Sequence, residues 1–464
     1  MHSVSTYPAK EEDLNCFQVL SCPLWGSSTG ELQKDFLKKY DFIISVEDHF
    51  LSGGFGSWLL ESSAGTDFTG SLIIGHQTTG TLDAAEYNTA VGLAAMDAIT
   101  SGDSNAAFGN GALGANTTGD FNTGVGYDSL KTNVSGSYNT AFGARTLEVN
   151  TASNNLAVGW AALLANTSGT ENTAVGRSAL VANTTGGDNT AVGYQALTAS
   201  TTGHSNTAVG KLAGAAITTG AENTLMGERS GDAITTASNI TGIGHKALSA
   251  LTTGGNNTAL GSEAAETITT GTDNVAVGNF ALRYNTTGVR NCGFGKDAVR
   301  VCTTGYNNSG FGHGAIENVT TGVNNTGVGY NSQASSATVY NEFTLGDSNV
   351  ANLRCQDTSI STVSDERDKT NIVDIPLGLT FLNTVRPVSF DWSARDGSKV
   401  GKKDFGFIAQ ELKIAADATD YANHMRLVHE DNPDKLEADP MKMFPILVKA
   451  IQELSAKVEA LENA

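Results

Sequence analysis

The chain has 464 residues, of which 53 are glycine and only 7 proline, and its net charge is −20. Many turns at fixed spacing produce that glycine-to-proline balance, whereas a disordered linker is rich in both residues. The acidity argues against nucleic acid and anionic membranes as partners, because both reward clustered Lys and Arg.

Five cysteines (Cys16, Cys22, Cys292, Cys302 and Cys355) form no CxxC pair. No disulfide framework, metal site or cofactor is therefore expected. No run of 18 apolar residues is present to span a membrane. The opening Met1-His2-Ser3 lacks the basic and apolar regions of a secretory signal, so release inside a virion is the expected route to the outside.

Residues 1–66 differ in composition from the rest of the chain. A helical pattern around Lys34–Tyr40 leads into the apolar strand Phe42–Val46, then a turn at Gly53-Gly54 and a helix at Trp58-Leu59-Leu60-Glu61, an α–β–turn–α order. The stretch YDFIISVEDHFLSGGFGSWLLES (40–62) resembles part of the C-terminal domain of transketolase-like proteins. With no cofactor-binding domain beside it, the resemblance implies no activity. Glu47, Asp48 and His49 are read as a solvated strand end rather than a metal or acid–base cluster. Attachment to a larger particle is the expected role of this small leading domain.

From residue 67 to 346 the chain repeats. Asn-Thr-Ala-Val-Gly recurs at 88–92, 172–176, 189–193 and 206–210, and its glycine returns every 17 residues from Gly75 to Gly346. One interval, Gly143 to Gly159, is 16, where Thr151-Ala152-Ser153-Asn154 shortens a turn. The residue before the glycine is always apolar, the third after it is small, and the fourth is usually Leu, as at Leu113, Leu163 and Leu180. Columns of like chemistry at one spacing are what stacked coils require, since each residue sits on its counterpart one rung away.

Two glycines and β-branched clusters per repeat exclude a helical pair. Glycines such as Gly176 and Gly186 suit corners, and the column Asn172, Asn189, Asn206 suits an amide ladder along the axis. At ~4.8 Å per rung, 17 coils would span on the order of 80 Å. The Thr184-Thr185 and Thr252-Thr253 pairs are read as turn chemistry, their hydroxyls satisfying backbone groups, rather than as an ice-ordering array.

The repeat resembles the head repeats of YadA-like trimeric adhesins and of phage tail-fibre proteins. That resemblance implies a left-handed β-roll with three chains side by side, although the period here is longer than the family's usual one. A thin coil buries little per rung, which makes lateral trimerisation physically reasonable.

After Gly346, residues 347–363 alternate loosely and are expected to form an intertwined β stem, with Cys355 as a packed apolar residue. Residues 364–464 then form a small α/β domain. Its run SDERDKTNI (364–372), with VRPVSFDW (385–392), GFIAQEL (406–412) and PILVKAIQEL (445–454), resembles the intramolecular chaperone domain of endosialidases, peptidase family S74.

In that family a Ser–Lys pair cuts the chain immediately before the serine. The resemblance implies Ser364 as nucleophile, Lys369 as base and the bond between Val363 and Ser364 as target, with Asp365 and Arg367 in positioning roles. A lysine kept neutral by burial can take the serine proton. Spacing alone would make Ser364 and Lys369 solvated surface. Phe444, Leu447, Ile451, Leu454, Val458 and Leu461 step by three and four, the seam of a coiled coil over about 444–462.

The expected architecture is mainly β: a trimeric β-roll of 17-residue coils with a C-terminal chaperone. The expected function is a phage tail fibre that is made in the host cytoplasm and carried on the virion. It binds a host surface glycan or protein receptor and meets other virion proteins through residues 1–66. Two alternatives are weighed. A bacterial trimeric adhesin would need an export signal and a membrane barrel. A polysaccharide depolymerase would need paired carboxylates in a groove, and the repeat's acids Glu171, Asp188, Glu222 and Asp273 occupy turn positions.

Overall fold

The computed structural model describes the backbone of 42–45, 59–62 and 72–74, and all atoms of 85–350, 353–354, 364–393, 400–430 and 436–464. The chain divides into two units, Met1–Asn206 and Thr207–Ala464. The helical pattern at 34–40, the acids and histidine at 47–49, and Cys16, Cys22 and Cys355 lie outside the described residues.

Ahead of the repeats, Phe42–Ser45 pairs antiparallel with Leu59–Ser62, with Phe42 opposite Ser62 and Ser45 opposite Leu59. The second segment was expected to be helical and is a strand. Four residues cannot close a helical turn cheaply, whereas they can pair fully with a strand already formed.

In the first unit, parallel three-residue strands run in register from Leu72–Ile74 to Thr190–Val192, each paired with its neighbours one coil away. The second unit repeats this from Thr207–Val209 to Phe343–Leu345. Pairing only between successive coils is the topology of a solenoid, and the 17-residue period is its circumference.

From Thr89–Val91 to Thr326–Val328, each coil strand buries its middle residue and leaves the outer two partly or fully open. Ala141, Ala174 and Ala191 are fully buried, while the apolar residue just before the glycine faces out, with Phe108, Phe142, Phe294 and Phe311 more than two-fifths exposed. Small residues line the interior because facing walls of the coil are close. The larger filling comes from the leucines, and Leu113, Leu130, Leu163 and Leu180 are fully buried.

Those leucines hold left-handed backbone, with φ of 52° at Leu113 and 51° at Leu180. The conformation costs ~1–2 kcal/mol for a non-glycine residue and is offset by ~1.5–3 kcal/mol from burying the side chain. The repeated glycine has no such alternative. Gly176 has φ +140°, and a Cβ there would lie 2.3 Å from the Gly193 carbonyl oxygen.

The amide ladder is present. Asn189 donates from its backbone N and its Nδ2 to Asn172 Oδ1, both at 3.1 Å, and from Nδ2 to the Gly203 carbonyl at 2.9 Å. A second buried column, Asn116, Asn133, Asn150, Asn166 and Asn183, repeats the device in the first unit, with Asn183 Nδ2 on Asn166 Oδ1 at 2.7 Å. Thr184 Oγ1 donates to the Thr201 carbonyl at 2.9 Å and Thr252 Oγ1 to that of Thr269 at 2.9 Å, so these hydroxyls satisfy the corners.

The terminal domain is built on Phe381, Leu412, Ala416, Met425, Leu427, Met443 and Ile446. Around this core lie a short helix Leu379–Leu382, a hairpin of Val388–Asp391 with Lys403–Gly406, a helix Ala409–Asp417 and a last helix Phe444–Glu462. The last helix turns Ile446 and Ala450 inward. Its Glu453 carboxylate accepts the Leu379 N–H at 2.9 Å, capping the short helix.

Candidate functional site

Asp365 organises the seam between repeat and terminal domain. Its carboxylate caps a single 3-10 turn, Glu366–Asp368, by accepting the Arg367 backbone N–H at 2.9 Å. An Asp at this position satisfies one of the orphan donors of a helix start. The Arg367 side chain returns to the same carboxylate, with Nε on Oδ1 at 3.0 Å. The Arg367 guanidinium, and then its backbone N–H, hold the Asp365 carboxyl below the usual carboxylate range.

The turn closes with Lys369 N–H on the Glu366 carbonyl at 3.0 Å, which reverses the chain. Lys369 thereby reaches back five residues. Its Nζ lies 2.6 Å from Ser364 Oγ and 3.2 Å from the Ser364 carbonyl oxygen. The four residues singled out at the seam thus form one local unit: a capped turn that brings Lys369 onto Ser364. Val363, on the far side of the target bond, lies outside the described residues.

The pair is open to solvent. Ser364 and Lys369 are both exposed in the single chain, whereas a neutral lysine was expected to be buried. Burial would have to come from something that covers this turn. A groove of about 680 Å³ in the terminal domain is lined by Gly378, Phe381, Arg386, Glu411, Ile414 and Glu453, and includes neither member of the pair. A serine that attacks its own preceding peptide bond needs no such groove, because its substrate is covalently attached.

In the same domain, the terminal helix leaves its seam uncovered. Phe444, Leu447, Ile451, Leu454, Val458 and Leu461 are between 42% and 77% exposed. Beside the face that carries Ile446 and Ala450, these residues form an apolar stripe with no partner among the described residues.

Elsewhere the acids Glu171, Asp188, Glu222 and Asp273 occupy left-handed corner positions with φ between 58° and 60°. Burial pushes the Cys302 thiol up to about 12, leaving it an inert packed group. Among the described residues there is no cluster of three or more His, Cys, Asp or Glu able to hold a metal ion, and no helix long and apolar enough to cross a membrane.

The family model for Peptidase_S74, chaperone of endosialidase, matches residues 364–421 and so begins at Ser364. No curated protein and no solved structure matches the chain.

Proposed function

We propose that the chain is the subunit of a trimeric phage tail fibre or tailspike. Its C-terminal domain gathers three copies in register and then releases itself by one cut between Val363 and Ser364. The observation that carries this reading is the 2.6 Å contact of Lys369 Nζ with Ser364 Oγ, at the first residue of the segment that resembles the endosialidase chaperone.

In the reaction, Ser364 Oγ attacks the Val363 carbonyl carbon while Lys369 takes the hydroxyl proton. The carbon–nitrogen bond then breaks, the proton passes from Lys369 to the new Ser364 amine, and the acyl group rests on Ser364 Oγ as an ester. Water hydrolyses the ester and frees the two pieces. Nucleophile and target are tethered, so proximity supplies most of the rate. The event happens once per chain.

Exposure of the pair gives the reaction its timing. In the open turn Lys369 Nζ donates to Ser364 Oγ at 2.6 Å. An ammonium shut away from water is costly and gives up its proton, so chains packed over the turn would switch the base on. The exposed stripe of the terminal helix supports three-chain association. Assembly first and cutting second is the order that serves a fibre, which then binds its host surface from the virion.

Expression of the full chain tests this. The wild type is expected to give residues 1–363 and a 101-residue piece, 364–464, as read by intact mass. Ser364→Ala, Lys369→Ala and Lys369→Arg are expected to stay full length, Arg because it does not surrender its proton. A folded wild-type trimer that remains intact would refute the self-cutting.

A further inference from the structure

The two residues that flank the repeated glycine vary in size in opposite senses along the first unit. Where the residue before it is Phe, the residue after it is small or short: Phe108 with Asn110, and Phe142 with Ala144. Where the residue before is Val, the residue after is large, as in Val125 with Tyr127 and Val158 with Trp160. Val192 with Tyr194 continues the pattern, and Arg177, beside Val175, lies 5.2 Å over the Trp160 ring and 5.9 Å over that of Tyr194.

None of these rings is buried in the single chain. Phe108, Tyr127, Phe142, Trp160 and Tyr194 are 41–56% exposed. Half-open rings of this size present together on the order of 500 Å² of apolar surface. That is at the upper end of what a lone soluble chain carries on one face.

We infer that this zigzag seam is the contact between copies of the chain and that its size code fixes their register. The inference rests on the trimeric reading above. In a cyclic ring two different patches of neighbouring copies meet, at equal height along the axis. The column before the glycine on one copy then faces the column after it on the next.

In register, the rungs of the first unit set large against small: Phe142 against Ala144 of the next copy, and Val158 against its Trp160. A slip of one rung sets Phe142 against Tyr127 or Trp160 and leaves Val125 facing Ala144 or Asn110. Such slips create clashes and voids by turns, both destabilising in a close-packed contact. A stable contact needs ~800 Å² per partner, so the seam must be used along its length rather than at one rung. Coils that look interchangeable by their backbone are thereby distinguished by this column. In the second unit Val328 with Tyr330 keeps the pattern, while Phe294 and Phe311 are followed by Lys296 and His313.

Cysteine pairing in the full chain tests the seam, with the parent chain as control. Val125→Cys with Tyr127→Cys is expected to give a covalent trimer on mild oxidation. Val125→Cys with Ala144→Cys, one rung out of step, is expected to give none beyond the control. Light scattering is run on the same samples. A non-covalent trimer without the 125–127 cross-link overturns the seam and leaves the trimeric reading standing, as does equal cross-linking from the off-step pair. A monomer in light scattering overturns the trimeric reading itself.

Discussion

Asn172 shows how much one side chain carries in a coil of this width. Its Nδ2 donates to Asn155 Oδ1 at 3.2 Å and to the Gly186 carbonyl at 2.9 Å, and its own oxygen accepts two bonds from Asn189. The site is closed to water, so truncation leaves several polar groups of the adjoining rungs unsatisfied, at ~1–3 kcal/mol each. Asn172→Ala is expected to lower unfolding stability by ~2–4 kcal/mol, measured from the urea midpoint. Thr184→Val, at a half-open corner with one bond to Thr201, is expected to cost ~1 kcal/mol or less. The reverse ranking would refute the ladder as the main internal restraint.

At the scale of the element, the terminal helix has two faces in different surroundings. Ile446 belongs to the domain's own core, whereas Ile451 and Leu454 lie on the open stripe. Ile451→Asp together with Leu454→Asp is expected to preserve helical circular dichroism while abolishing the trimer in light scattering. The same variant is expected to stay uncut, because the Ser364–Lys369 turn would remain in water. Retained cutting in a monomer would separate cleavage from assembly.

This helix was legible in the sequence because its stripe steps by three and four, and the coil was legible because its columns recur at one spacing. The direction of the apolar column was less legible. A strand of three residues, such as Thr173-Ala174-Val175, reads equally well with Ala or Val inward, and only the narrowness of the coil selects Ala. Leu180 was recognisable as filling, yet nothing in its identity announced a left-handed backbone. At Leu59–Ser62 a short apolar run fits either helix or strand, and pairing with Phe42–Ser45 decides it. At the site, spacing suggested only solvated charge. The family resemblance picked out Ser364 and Lys369, and the Asp365 cap explains physically how they meet.

At the scale of the whole molecule, a domain that sets register and then departs leaves a product that cannot repeat its own assembly. On the proposed reading, loss of the 364–464 piece would leave the fibre held by the height of its unfolding barrier rather than by a reversible equilibrium. Heat-denatured wild-type trimer is therefore expected not to regain its trimeric state on cooling, while uncut Ser364→Ala chain recovers a measurably larger fraction by light scattering. Equal recovery would remove the chaperone's claimed part.

The one short coil, between Gly143 and Gly159, shows where such a molecule can change without harm. A residue is missing at the Thr151–Asn154 corner, yet the Asn155 backbone N still reaches Asn139 Oδ1 at 3.0 Å and the strand Leu156–Val158 keeps its place between neighbours. The positive-φ glycines such as Gly176 leave no room for a methyl group beside the next rung, but the corner absorbs a lost residue. Evolution can thus retailor the outward loops, the parts a host surface would meet, while the axial scaffold is copied unchanged.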